Sequence, residues 1–145
     1  MCYSVYLSTT STEDLSKITS PHFKLKEAVR AEEGPSLDLL EHPHKWYLVC
    51  RYGGCSCYFR HLETDEEPYF WAPQDWYPED ADDLESTAAF YDLIVRLIAE
   101  GHQVDVIDQW ESDDPGELNT IPVSLNAVPR ETFRFIADHR FVFGV

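Results

Sequence analysis

The segment from Asp80 to Gly101 constrains the fold more than any other part of this chain. Leu84, Ala88, Tyr91, Val95 and Ile98 recur at helical spacing. Phe90, Leu93, Ile94 and Leu97 then widen the apolar face until only a narrow polar stripe remains, with Asp92 and Arg96 paired along it. Asp80, Asp82 and Asp83 crowd the start, where carboxylates meet the positive end of the helix dipole, and Asp82 with Glu85 matches a capping box. Gly101 supplies the stop. A helix this apolar must be covered on most sides, which predicts one main helix over about 80–100 packed across a sheet.

Strand-like runs supply that sheet. Tyr, Val and Leu alternate over Cys2–Ser8, and similar patterns occur at Trp46–Tyr52, Cys55–His61, His102–Trp110 and Arg140–Val145. Phe23–Lys26 reads as an edge strand, and Ile121–Leu125 reads as an edge or bulged one because Pro122 cannot donate to a ladder. Three weaker helical signals accompany them. One is Glu13–Ile18 behind Ser11 and Thr12, and another is a turn at Leu37–Glu41. The third is a short helix opening at Pro129 with Phe133 and Ile136 inside. Leu62–Glu79 has no period and is expected as a long loop, and Asp113–Gly116 as a turn. With no repeat, linker or low-complexity tract, residues 1–145 are expected as one α+β domain. Its sheet is mixed or antiparallel, of about five to six strands, with one main helix and one or two short ones.

Charge narrows the function. Across 145 residues there are 27 Asp and Glu against 11 Lys and Arg, a net charge of −16. The excess is local: Glu63–Glu117 holds 18 of the acids and a single base, Arg96, so that block carries −17 and the remainder +1. Such a balance argues against nucleic acid and against docking to anionic lipid. The longest uncharged stretches, Met1–Thr12 and Leu118–Pro129, are twelve residues each, short of the ~20 that span a bilayer. Met1–Val5 carries neither a basic nor a long apolar leader region. A soluble, cytoplasmic chain is expected.

Cys50, Cys55 and Cys57 form the sharpest local pattern. If Gly53-Gly54 is a two-residue hairpin turn, Cys50 faces Cys57 and all three thiols share the more apolar face, with Arg51 and Arg60 on the other. Three readings are open. The thiols are small buried hydrophobes, or zinc ligands with a fourth donor from His61, His42 or His44, or a redox or nucleophilic group that needs a nearby cation. His61 lies four strand residues beyond Cys57, about 13 Å away, and joins only if the chain bends. A Cys50–Cys57 disulfide is geometrically conceivable, but nothing points to secretion.

The second candidate is the run Tyr69–Tyr77, with five aromatics in nine residues and acid on both sides. Its aromatic rings either complete the core or face a partner. Catalytic patterns are missing: there is no Gly-rich phosphate loop, serine elbow or His-Glu-x-x-His. Asp105 and Asp108 fall on opposite faces of their strand, which weakens a paired-carboxylate hydrolase. His102 reads as a polar junction residue, and His42-Pro43-His44 as a turn. The expected function is therefore a non-catalytic interaction module, inhibitor-like, immunity-like or adaptor. It presents Glu63–Asp83, and with it Glu111–Glu117, to a basic protein, peptide or amine through Tyr69, Trp71, Asp75, Trp76, Asp80 and Asp82. The alternative is a metal- or thiol-dependent protein built on Cys50, Cys55 and Cys57, with zinc as the one cofactor in view.

Overall fold

The computed structural model describes residues 2–28, 35–110 and 118–145. Six strands, β1 (Tyr3–Thr9), β2 (Phe23–Glu27), β3 (His44–Cys50), β4 (Val104–Trp110), β5 (Asn119–Ser124) and β6 (His139–Gly144), make one mixed sheet. Their order is β2-β3-β1-β4-β6-β5, antiparallel at every junction except the parallel β5–β6 pair. The one α-helix among the described residues, α1 (Ala81–Ala99), connects the thiol-bearing half of the chain to β4.

Alternation along the strands decides what the helix meets. Val5, Leu7, Trp46, Leu48, Cys50, Val104, Val106, Phe141 and Phe143 share one face, and Phe90, Tyr91, Ile94 and Leu97 of α1 close over it. The opposite face has a smaller cover: Tyr6, Tyr47 and Ile107 pack with Leu37 and Leu40, in and just after the 3-10 turn Pro35–Leu39. Both faces of the central strands are thus occupied, which explains why Val104–Gln109 is buried without a gap. That run includes two carboxylates. Asp105 lies on the smaller face, accepting from Ser8 Oγ, from the Glu41 amide (3.1 Å) and from Arg140 Nε (2.9 Å). Asp108 lies on the helix face and meets His61.

Edges and ends follow from local chemistry. Phe23 and Leu25 bury one side of β2 while Lys24, Lys26 and Glu27 stay exposed, the pattern of a charged edge strand. Pro122 sits in β5, the other edge, where its missing N–H costs no ladder bond. Asp80 caps α1 by accepting from the amides of Asp82 (2.8 Å) and Asp83 (3.3 Å), so the capping-box assignment to Asp82 is corrected by two residues. Gly101, at φ +92°, ends the helix as expected. The signal at Glu13–Ile18 resolves to a 3-10 turn over Leu15–Lys17 with Asp14 at its N-cap.

Two expected elements are absent. Cys55–His61 is not a strand: the Cys50 amide does donate to the Cys55 carbonyl (2.8 Å), but the next amide, of Ser56, goes to the Tyr3 carbonyl of β1, and β2 holds the other side of β3 (Phe23↔Cys50). The chain does turn at Gly53 and Gly54, at φ +83° and +87°, but it then runs across the start of β1. Pro129 does not open a helix either. The Thr132 amide returns to the Pro129 carbonyl (3.0 Å) as a single turn, after which the Phe135 amide donates to Arg60 and its carbonyl accepts from Leu62. Backbone groups committed to another segment cannot also form a helix. Phe133 and Ile136 are buried nonetheless. The turn expected at Asp113–Gly116 lies outside the described residues, and among those described no helix is long and apolar enough to cross a membrane.

Candidate metal centre

The centre of the thiol loop is a serine. Paired residues of β1 and β3 run from Thr9↔His44 to Tyr6↔Tyr47, and beyond that point the Ser56 hydroxyl enters between the strands. It accepts from the Val5 amide (2.8 Å) and donates to the Leu48 carbonyl (2.5 Å), while the Ser56 amide donates to the Tyr3 carbonyl (3.1 Å). Three hydrogen bonds on a fully buried residue fix the backbone at the middle of Cys55-Ser56-Cys57. They also fix it against Tyr3, whose neighbour is Cys2. The consequence is a cluster: the Sγ atoms of Cys2, Cys55 and Cys57 all lie within 4.8 Å of one another, and all three residues are partly buried.

That spacing suits a metal ion. With Zn–S bonds near ~2.3 Å, sulfurs on a tetrahedral centre stand about 3.8 Å apart, so at most about 1 Å of side-chain adjustment closes the widest separation. Burial, and then the neighbouring Cys57 and Cys2 thiols, push Cys55 up to about 12. This environment disfavours a lone thiolate, and the cation that would activate a nucleophile is engaged elsewhere. Arg51 pairs with Asp83 (3.0 Å) and donates to Ser86 Oγ and to the Tyr58 carbonyl.

His61 supports the loop from its inner side. The chain bends at Tyr58, at φ +62°, and brings the imidazole back beneath Ser56. Its Nε2 lies 2.7 Å from the Ser56 carbonyl and its Nδ1 lies 3.0 Å from Asp108 Oδ2, while its ring stacks on Tyr3 at 3.8 Å. Both nitrogens are therefore occupied, and His61 orients the Cys-Ser-Cys backbone rather than joining the sulfurs. Burial, and then the charges of Asp108, Glu63, Cys57 and Asp138, push the Tyr3 phenol upward, which marks the surroundings of the cluster as acidic. No family model matches this chain, and no curated protein or solved structure matches it significantly.

The remaining sequence-named residues fall in several places. Cys50 is not in the cluster; it is buried in the main core, with its Sγ toward the Gly53 carbonyl. His44 opens β3, six residues and about 20 Å of strand from Cys50, and the His42 amide donates to Ser8 Oγ. A concavity of 370 Å³ between Thr12–Ser16 and His44–Trp46 lies at that same far end. The aromatic loop is divided. The Tyr69 carbonyl accepts from Arg134, Phe70 stacks on Phe133, and Trp71 lies 5.0 Å from the Arg60 guanidinium with its carbonyl accepting from Arg60 (2.9 Å). Trp76, by contrast, is 76% exposed and Tyr77 41%. Asp75 and Asp82 are exposed, and so is Asp80, whose side chain is spent on capping α1. Glu79 is drawn inside to Arg60 (2.7 Å), and Glu111–Glu117 lies outside the described residues. Sequence spacing offered no signal for Cys2, which is remote from the other two thiols along the chain. Only the bonds between Tyr3, Val5 and Ser56 bring it in.

Proposed function

We propose that the chain binds a thiophilic metal ion of the zinc or copper(I) class through Cys2, Cys55 and Cys57. The observation that carries this reading is convergence. Two segments far apart in sequence deliver three sulfurs within 4.8 Å, through a buried serine hydrogen-bonded to both β1 and β3. Thiolate sets select these metals over hard cations, and a bound ion supplies the positive charge that an acidic surround otherwise lacks. Metal analysis of the reduced protein is the test. About one ion per chain is expected, lost in Cys2→Ser, Cys55→Ser and Cys57→Ser and retained in Cys50→Ser. Equal loss in all four variants, or no bound metal in the parent, sinks the reading.

A second reading, recognition of a basic protein, peptide or amine, draws on Trp76. A tryptophan this exposed beside Asp75, and near exposed Glu63, Asp65, Glu66, Glu67 and Asp82, offers an aromatic anchor within a field that attracts cations. Binding of this kind weakens steeply as salt is raised from low to physiological strength. A basic peptide whose affinity is the same at both ionic strengths, or unchanged in Trp76→Ala, counts against it. Neither reading requires catalysis.

A further inference from the structure

The donor count around the thiols has a chemical consequence that rests on the metal reading. Among the described residues, the only group of three or more metal-binding side chains is Cys2, Cys55 and Cys57. Among the described residues, the histidines and the fourth cysteine that the sequence offers as a further donor are placed elsewhere. His61 has one nitrogen on the Ser56 carbonyl and the other on Asp108, and its ring is stacked between Tyr3 and Phe135. Cys50 points into the core, and His42 and His44 stand at the opposite end of β3. Cys2, Cys55 and Cys57 are each only partly buried, whereas Ser56 is fully buried. Closed structural zinc sites use four protein ligands, whereas sites with three keep an exchangeable position.

Charge then selects what enters. Binding a divalent ion releases three thiol protons and leaves a complex of net charge −1. Around it, Asp108 faces His61 Nδ1 at 3.0 Å, and Glu63, two residues beyond His61, is exposed. An anionic fourth ligand would raise the complex to −2 in that field, but a neutral nitrogen donor adds nothing. We infer that the three-cysteine centre holds a divalent zinc-class ion with an open fourth position that takes a neutral imidazole-type donor in preference to an anion. The natural source of such a donor is a histidine side chain of another molecule.

Cobalt(II) reports both layers separately. The reduced full chain is titrated with cobalt(II), and its thiolate charge-transfer absorption gives stoichiometry. Imidazole is then added to one sample and azide to another, and the d–d bands are followed. The expected result is one cobalt per chain with strong charge-transfer absorption. Imidazole should shift the d–d bands in a saturable way at a concentration at least tenfold below any effect of azide. If cobalt binds but neither ligand shifts the bands, the fourth position is closed, and the inference fails while the metal reading stands. If azide acts as well as imidazole, the charge argument fails. If the imidazole response appears only in His61→Gln, then His61 itself is the fourth ligand and the position is not open. If no cobalt binds to the reduced protein, both the inference and the metal reading fall.

Discussion

The two irregular segments between β3 and α1 lie next to each other and are held by opposite means. The thiol loop, residues 51–61, is fastened by a small neutral group, the Ser56 hydroxyl, which satisfies one amide and one carbonyl where β1 and β3 part. The aromatic loop, residues 62–79, is fastened by two buried arginines. Arg60 grips Glu79 and the carbonyls of Trp71 and Thr132, and Arg134 reaches the carbonyls of Leu62 and Tyr69. In the first segment the structural burden falls on the residue between the cysteines, and the reactive groups are left partly exposed. In the second, three of the five aromatics that suggested a recognition surface serve the fold. A residue type that looks functional in sequence is informative only once its backbone is accounted for.

The sharpest way to break this contrast is to remove one fastener at a time. Arg60→Ala leaves Glu79 buried without its partner, so a loss of about 3–5 kcal/mol in unfolding free energy is expected by urea denaturation. Amide exchange should rise across residues 69–79, whereas metal stoichiometry measured in the folded fraction should stay near one. Loss of metal with the loop still protected would contradict the separation of the two segments. In the other direction, zinc should stabilise the parent by about 2.7 kcal/mol at a free concentration one hundred times its dissociation constant. Cys57→Ser should cancel that gain without loosening residues 69–79. Ser56→Ala removes a partner from both the Val5 amide and the Leu48 carbonyl, at a cost of about 1–3 kcal/mol. It should also weaken metal binding, since the thiols lose their fixed backbone. A variant as unstable as this that still bound metal with parental affinity would show that Ser56 serves the fold alone.

Legibility in the sequence followed the range of the interactions involved. Helix α1 was readable because its apolar period, its acidic start and Gly101 all lie within one contiguous segment. The edge character of β2 and β5 was readable from Lys24, Lys26 and Pro122, since what marks an edge is a property of the strand itself. The hairpin at Gly53-Gly54 was misread because local turn chemistry is blind to competition: after the Cys50 amide meets the Cys55 carbonyl, Ser56 is claimed by Tyr3 and Val5 of β1. The same blindness concealed the candidate site. Cys55 and Cys57 were visible as a pair, but Cys2 enters through a backbone bond between Tyr3 and Ser56, and Cys50 drops into the core by strand parity. Arg134 was the least readable residue of all. It is fully buried and held by carbonyls, with no carboxylate bonded to it among the described residues, and burial together with nearby Arg60 pulls its pKa down to about 10.

The smallest expected effect discriminates most finely, because it divides the aromatic loop against itself. Trp71 lies against the Arg60 guanidinium and in edge contact with Tyr77, half-buried; replacing it with alanine removes both the apolar contact and the cation–π attraction, at a cost of about 1–3 kcal/mol. Trp76 also touches Tyr77, but it is 76% exposed, so Trp76→Ala should change stability by no more than about 0.5 kcal/mol. Denaturation curves for the two variants therefore measure where the loop changes from core to surface. Equal losses would place Trp76 in the core with Trp71 and remove the anchor on which the second reading depends. A loss at Trp71 alone leaves Trp76 as a large apolar group with little structural purpose. Its contribution then has to be sought in binding, by comparing the affinity of a basic peptide for Trp76→Ala and for the parent at low and at physiological salt.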